Sequence, residues 1–372
     1  MDPSKKILIL YASAGHGHEK AAKALLEACR AAGLRAEAHD TLELVRPAFI
    51  GDVYRKSYLF QINRAPALWG FFYYAFDAAW LYALIRPLRR LWNAWVGRPI
   101  EALLLEKDVA AVVATHFMAV EIAARLKRKG VLRARLVALI TDYLPHWIWT
   151  ARGVEVYAVA AARTKEAMRL RFGLSNVRVT GIPIGPQFSQ LPSKGGARAR
   201  LGLKEAFTVL LTSGGAAIGQ MEALVSGILA TGKAIQMQVV CGTNEALRRK
   251  LAALPDPKGM LKIYGFVDNM HELMTASDLL LGKGGGITIT EAFAAGLPVL
   301  LFRPVPGQEG RNAACVAEEG AGLRIDSVKR VIAKVAEFAQ DPSRLKPFGY
   351  GARRLAAPDA ARDACRLAVE GL

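Results

Sequence analysis

The strongest constraint on this chain is a unit that recurs along it: a short apolar run bounded by glycine or proline, followed by a stretch with helical spacing. That alternation is the signature of an α/β fold with parallel strands. The runs Ile7 to Tyr11, Val109 to Ala114, Arg135 to Thr141, Val156 to Ala160, Thr208 to Leu211, Ile235 to Val240, Leu261 to Tyr264, Leu279 to Leu281 and Pro298 to Phe302 are strand candidates. They fall into two sets. Between the sets lie Gly181-Ile182-Pro183-Ile184-Gly185-Pro186 and a polar, aperiodic stretch through Lys194-Gly195-Gly196, which reads as an interdomain linker. With 372 residues, 52% of them apolar, the chain is long enough for two domains. The expected domains are residues 1–190 and 191–350, with residues 351–372 a C-terminal helix whose attachment stays open.

A formal charge of +18 and a pI near 9.9 point to an anionic partner: nucleic acid, an acidic membrane leaflet or a phosphorylated ligand. Cys29, Cys241, Cys315 and Cys365 form no CxxC pair, so neither a disulfide framework nor a zinc cage is indicated. The first apolar run is too short for a signal peptide, which places the protein on the cytosolic side.

Residues 43–99 hold 14 of the 30 Phe, Trp and Tyr residues, including Phe71-Phe72-Tyr73-Tyr74, Trp80, Trp92 and Trp95. Eight Arg and Lys side chains are interleaved with them, against Glu43, Asp52 and Asp77. Aromatic rings with wet edges beside arginines suit an anionic membrane surface. Two other readings stay open: ordinary helix packing, and a membrane span over residues 67–85, which Asp77, Pro66 and Pro87 oppose. No recognisable nucleic-acid-binding motif accompanies the basic residues, so no nucleic-acid partner is expected.

Two glycine loops each follow a strand candidate and open a helix. The first, Ala12-Ser13-Ala14-Gly15-His16-Gly17-His18, is not the dinucleotide fingerprint, because Lys20 stands where GxGxxG needs its last glycine. A histidine here can take a proton from an attacking hydroxyl, or it can simply cap the helix. The second loop, Gly282-Lys283-Gly284-Gly285-Gly286-Ile287-Thr288, exposes backbone amides that suit a diphosphate. Glu291, within the first turns of the helix that follows, is placed to accept from two ribose hydroxyls. Pro306-Gly307-Gln308-Glu309 offers an amide and a carboxylate suited to sugar hydroxyls. A purely structural glycine turn is the alternative; a P-loop is ruled out because GxxxxGK[ST] is absent.

Together with Thr141-Asp142-Tyr143, His146-Trp147, Thr180-Gly181-Ile182-Pro183-Ile184, Gly265-Phe266-Val267, Met270 and Asn312, these motifs resemble a known family across roughly residues 5–320. It is the monogalactosyldiacylglycerol synthase and processive diacylglycerol glucosyltransferase family, related to the peptidoglycan N-acetylglucosaminyltransferase. The resemblance implies an inverting GT-B enzyme, an α/β fold of two Rossmann-like domains facing across a cleft. The first domain would bind membrane and acceptor and carry the base, and the second would bind the UDP-sugar.

Carried over by residue, the resemblance makes His18 the base and puts Gly285, Gly286 and Thr288 at the diphosphate. It assigns Glu291 to the ribose, Phe266 and Val267 to the uracil, and Gln308 with Glu309 to the sugar. Asn312 joins the donor set, and Ser213, Gly214 and Gly215 form a small-residue loop beneath the donor. His116, Asp142 and His146 are candidates for acceptor contacts, for orienting His18, or for structural hydrogen bonds. Two departures stand out: Gly284 where the family often has proline, which should loosen the loop, and His16 where Asn or Gly is more familiar.

The expected reaction moves a hexose from a UDP-sugar to a lipid hydroxyl, most plausibly of diacylglycerol, giving a β-glycolipid. No cofactor is expected, and no metal, since the chain has no DxD motif. Transfer of N-acetylglucosamine to another lipid, UDP-sugar epimerisation and a non-catalytic membrane sensor are the competing readings. The expected location is the cytoplasmic side, peripheral on the inner face of the cell membrane.

Overall fold

A computed structural model describes residues 2, 4–212, 220–256 and 258–372. The chain divides into two compact units, residues 1–186 with 357–372, and residues 187–356.

The first unit is built on a six-stranded sheet in the order β2-β1-β3-β4-β5-β6, every neighbouring pair parallel. Its strands are β1 (Lys6–Tyr11), β2 (Ala36–Asp40), β3 (Val109–Ala114), β4 (Arg135–Leu139), β5 (Val156–Val159) and β6 (Val177–Val179). Helices cover both faces, so central strands such as Val109–Ala114 are apolar on both sides and almost wholly buried. The tail belongs to this unit. Its helix Ala360–Val369 buries Ala364, Cys365, Leu367 and Ala368 in the same core cluster as Ala22, Leu25 and Cys29 of the helix His16–Ala31.

The second unit repeats the plan in the order β12-β11-β10-β7-β8-β9, again all parallel. The strands are β7 (Phe207–Thr212), β8 (Ile235–Val240), β9 (Leu261–Tyr264), β10 (Leu279–Gly282), β11 (Val299–Phe302) and β12 (Gly322–Ile325). β8 buries two glutamines. Gln238 is satisfied by donating to the Leu273 carbonyl at 3.1 Å and the Ser277 hydroxyl at 2.9 Å.

One expectation fails here. Lys194-Gly195-Gly196 is not linker but the first turn of a helix, Lys194–Arg200. Ser193 caps it by accepting from the Gly196 amide at 3.2 Å, and Arg198 anchors it to Asp278 at 2.8 Å. Two glycines hid the pattern, since they carry no side chain to mark a helical face.

Residues 43–99 form helices at Phe49–Arg64, Pro66–Phe76 and Ala79–Val96. No single helix among the described residues is long and apolar enough to cross a membrane, and the last two meet at 94°. Asp77 sits at that corner and explains it. Its carboxylate is buried, accepts from the Trp147 amide at 2.8 Å and pairs with Arg171 at 2.6 Å, so the bend is tied into protein.

Candidate active site

In both sheets the chain starts in the middle, runs outward to one side, then returns to build the other. Loops leaving the two central neighbours therefore diverge, and a crevice opens above their C-terminal ends. In the first unit the neighbours are β1 and β3, which places the first glycine loop beside Thr115 and His116.

His18 lies in the first turn of the helix His16–Ala31. The helix N-cap is Gly15, in extended conformation, and no side chain caps it, so neither loop histidine serves as a cap. His16 is exposed. His18 is half-buried, with its Nδ1 3.1 Å from the Thr141 hydroxyl at the end of β4, while its carbonyl accepts from Thr115 Oγ1 at 3.2 Å. Burial pushes its pKa down to about 4, the ring's contact with the Thr115 backbone opposing the shift. The imidazole is therefore neutral at pH 7 and able to accept a proton.

His116 is nearly fully buried, and its ring meets the His18 ring edge-on with centroids 5.2 Å apart. Burial first, then His18 and Arg89, hold it neutral, and its Nδ1 has no hydrogen-bond partner. Asp142 is half-buried just beyond Thr141. His146 is committed elsewhere: its Nδ1 accepts from the Ile148 amide at 3.0 Å and its Nε2 donates to the Tyr73 carbonyl at 2.9 Å. It ties the turn after β4 to the aromatic helix Pro66–Phe76, which is a structural bond of the kind left open for it.

In the second unit the central neighbours are β7 and β10, and the loop Lys283–Gly286 leaves at that point. A Cβ on Gly282 would come within 2.9 Å of the Thr212 carbonyl oxygen, so only glycine lets the two strand ends approach this closely. The helix Gly286–Ala294 that follows has no side-chain cap, which leaves its first amides to an anion. Thr288 is half-buried in its first turn and Glu291 is buried in its second. Phe266 is 77% exposed after β9, with Val267 half-buried beside it. Ser213, Gly214 and Gly215 follow β7 and lie outside the described residues.

Gly307, at φ 105°, turns the chain into the helix Gln308–Glu318. Gln308 is half-buried at its start. Glu309 turns toward the backbone: it accepts from the Val305 amide at 2.8 Å, and burial pushes its carboxyl up against the opposing pull of that amide, of Lys283 and of the Gly284 amide. Asn312, expected among the ligand-facing residues, is fully buried and donates to the Gly284 carbonyl at 2.9 Å.

Comparison with known proteins gives the family and the fold. Residues 18–184 match monogalactosyldiacylglycerol (MGDG) synthase, and residues 208–362 match the C-terminal domain of glycosyltransferase family 28. The chain is 30% identical over 353 residues to the processive diacylglycerol beta-glucosyltransferase of Bacillus subtilis (strain 168), covering 93% of this chain and 90% of that protein. For the enzyme of the same name from Bacillus pumilus (strain SAFR-032) the identity is 31%, covering 95% and 92%. The chain belongs to this glycosyltransferase family. Its GT-B fold is shared with MurG of Acinetobacter baumannii, at TM-score 0.65 and 14% identity over 98% of this chain and 99% of that one. It is also shared with Anabaena HepE, solved in complex with UDP-glucose, at TM-score 0.55 and 16% identity over 99% and 100%.

Several residues of this glycosyltransferase's first crevice escape sequence reasoning. Asp40, ending β2, accepts from the Ser13 amide at 3.2 Å, and Arg55 donates to the Ser13 hydroxyl at 2.8 Å from the helix Phe49–Arg64. The first glycine loop is thus braced by the aromatic segment. Arg55 carries no local signal for this, since its partner is 42 residues away. Thr141 stood within a quoted motif, and its contact with His18 spans 123 residues.

Proposed function

We propose that the chain transfers glucose from UDP-glucose to the hydroxyl of diacylglycerol with inversion, at the inner surface of the cell membrane. The sugar and the acceptor follow the names of the Bacillus relatives, which are transferases along nearly their whole length. The observation that carries the chemistry is His18: a neutral imidazole, half-buried in the first unit's crevice, with Nδ1 held by Thr141. With hydrogen on Nδ1 donated to Thr141, the Nε2 lone pair is left to act. It takes the proton of the lipid hydroxyl as that oxygen bonds to the anomeric carbon. The bond from the anomeric carbon to the phosphate oxygen breaks, and UDP leaves with the electron pair. The amides of Gly285, Gly286 and Thr288 and the uncapped helix start are suited to the charge that develops on the diphosphate. Glu291 serves the ribose, Phe266 and Val267 the uracil, and Gln308 the sugar; Ser213, Gly214 and Gly215 complete the donor side, and His116 and Asp142 the acceptor side.

The membrane reading rests on one face of the helix Ala79–Val96. Trp80, Leu84, Leu88, Leu91 and Trp95 recur at helical spacing and are all exposed, the first four by 70% or more. Phe49, Val53 and Phe60 of the helix Phe49–Arg64 are exposed as well, with Lys56 and Arg64 exposed among them.

The test is incubation of the pure protein with a panel of labelled UDP-sugars and diacylglycerol micelles. The expected result is lipid-dependent UDP release with label in a β-glucosyl lipid, lost about 10²-fold in His18→Ala with UDP affinity kept. UDP-sugar conversion without lipid, or full turnover by His18→Ala, refutes the proposal.

A further inference from the structure

The donor loop has three successive glycines, and such a segment is costly to order because each residue has so many conformations to lose. The structure holds it at one point. The Gly284 amide belongs to the peptide joined to Lys283, and it faces the Glu309 carboxylate, helping to hold that group in its charged form. The Gly284 carbonyl belongs to the next peptide, and it accepts from Asn312 Nδ2 at 2.9 Å. Both peptide planes flanking Gly284 thus find a partner on the helix Gln308–Glu318, which narrows the φ and ψ open to it. The pins are themselves anchored. Glu309 also accepts from the Val305 amide at 2.8 Å, and Asn312 is fully buried. The missing side chain is needed here too, since a Cβ on Gly284 would lie 2.4 Å from the Glu309 carbonyl oxygen.

We propose that Glu309 and Asn312 are positioning residues that clamp Gly284 and so aim the amides of Gly285 and Gly286 at the donor diphosphate. This rests on the reading of the loop as the UDP site. It assigns Glu309 a duty distinct from touching sugar hydroxyls: the carboxylate works through the loop, on the nucleotide. It also accounts for a loop that tolerates Gly284 in place of a rigid proline, because the stiffness comes from the next helix instead. Gln308–Glu318 and the glycine loop form one unit, and weakening either side of the clamp loosens the same amides.

The discriminating ligand is UDP itself, which has no sugar. Glu309→Gln keeps the shape but cannot accept from two amides as a carboxylate does, and Asn312→Ala removes the second pin. Each variant is expected to weaken UDP binding about tenfold, read by calorimetry, and the double variant by little more than one alone, because either loss releases the same residue, Gly284. Gly284→Ala, whose Cβ would meet the Glu309 carbonyl oxygen and push the loop away while both clamping side chains stay in place, is expected to do the same. Deuterium exchange over residues 281–288 of the ligand-free protein reads the clamp without any nucleotide, and should quicken in all three while exchange over β7 and β8 reports that the unit stays folded. Unchanged UDP affinity with only the UDP-glucose KM raised in Glu309→Gln makes the carboxylate a sugar contact and overturns the proposal. Unchanged loop exchange overturns it as well. If wild-type protein binds no UDP while the exchange results hold, the donor reading fails and the clamp survives.

Discussion

Burial of His18 makes a quantitative claim about pH. An imidazole with the ordinary pKa of 6.5 is only about 9% neutral at pH 5.5, whereas one held at about 4 is about 97% neutral there. If His18 Nε2 is the base, kcat/KM at pH 5.5 should stay close to its value at pH 7.5, where an unperturbed histidine would lose about tenfold. The acidic limb should then have its midpoint near pH 4, because kcat/KM reports the free enzyme. The substrate adds no titration in this range, since each phosphate of a UDP-sugar carries one ester and one anhydride bond and keeps only a strongly acidic oxygen. The assay is initial rates of UDP release at constant ionic strength, with UDP-glucose well below its KM and diacylglycerol in neutral micelles. Stability must be followed in parallel. A folded pKa below the unfolded 6.5 means that between pH 6.5 and about 4 the unfolded chain binds the proton and the folded chain does not. Stability is therefore full above pH 6.5 and falls as the pH drops, by roughly 3 kcal/mol once pH 4 is passed. An acidic limb with its midpoint at 6 to 6.5, in protein still folded by circular dichroism, would refute the assignment of the base or of its surroundings.

Thr141→Val should lower kcat/KM about tenfold by releasing His18 Nδ1, with UDP affinity unchanged and Thr141→Ser restoring the rate; equal losses in both variants would deny the hydroxyl its role. Asp77→Ala removes the partner of Arg171 and the acceptor of the Trp147 amide at the helix corner, and should cost roughly 2 to 3 kcal/mol in urea denaturation. Replacing Leu84 and Leu88 together by glutamate should reduce co-sedimentation with anionic vesicles at least about tenfold and leave UDP binding intact. Unchanged sedimentation would move the membrane contact off this helix.

Local patterns announced most of the fold. Each of the nine apolar runs is a strand: eight lie inside a parallel sheet, where a strand must be apolar on both faces, and the ninth, β9, is an edge. The three strands that sequence reasoning left out are β2, β6 and β12, and all three are sheet edges. Ala36–Asp40, with Glu37 and His39, and Val177–Val179, with Arg178 and Val179 exposed, face solvent enough to need no continuous apolar run. Both glycine loops were legible for a related reason, since glycine turns between strand and helix are local events. His18 and Glu291 could thus be singled out before their surroundings were known.

The alternation of strands and helices, the two loops and the unusual aromatic segment are written in residues close along the chain, and can be read from them. Tertiary structure alone decided what those side chains touch. It brought Thr141 to His18, Arg55 to Ser13, and Glu309 and Asn312 to the Gly284 peptide, and it turned His146 to the backbone of the aromatic helix. The crossovers of a parallel sheet join residues far apart in sequence at the ends of neighbouring strands, and no pattern within either segment encodes which partner arrives there.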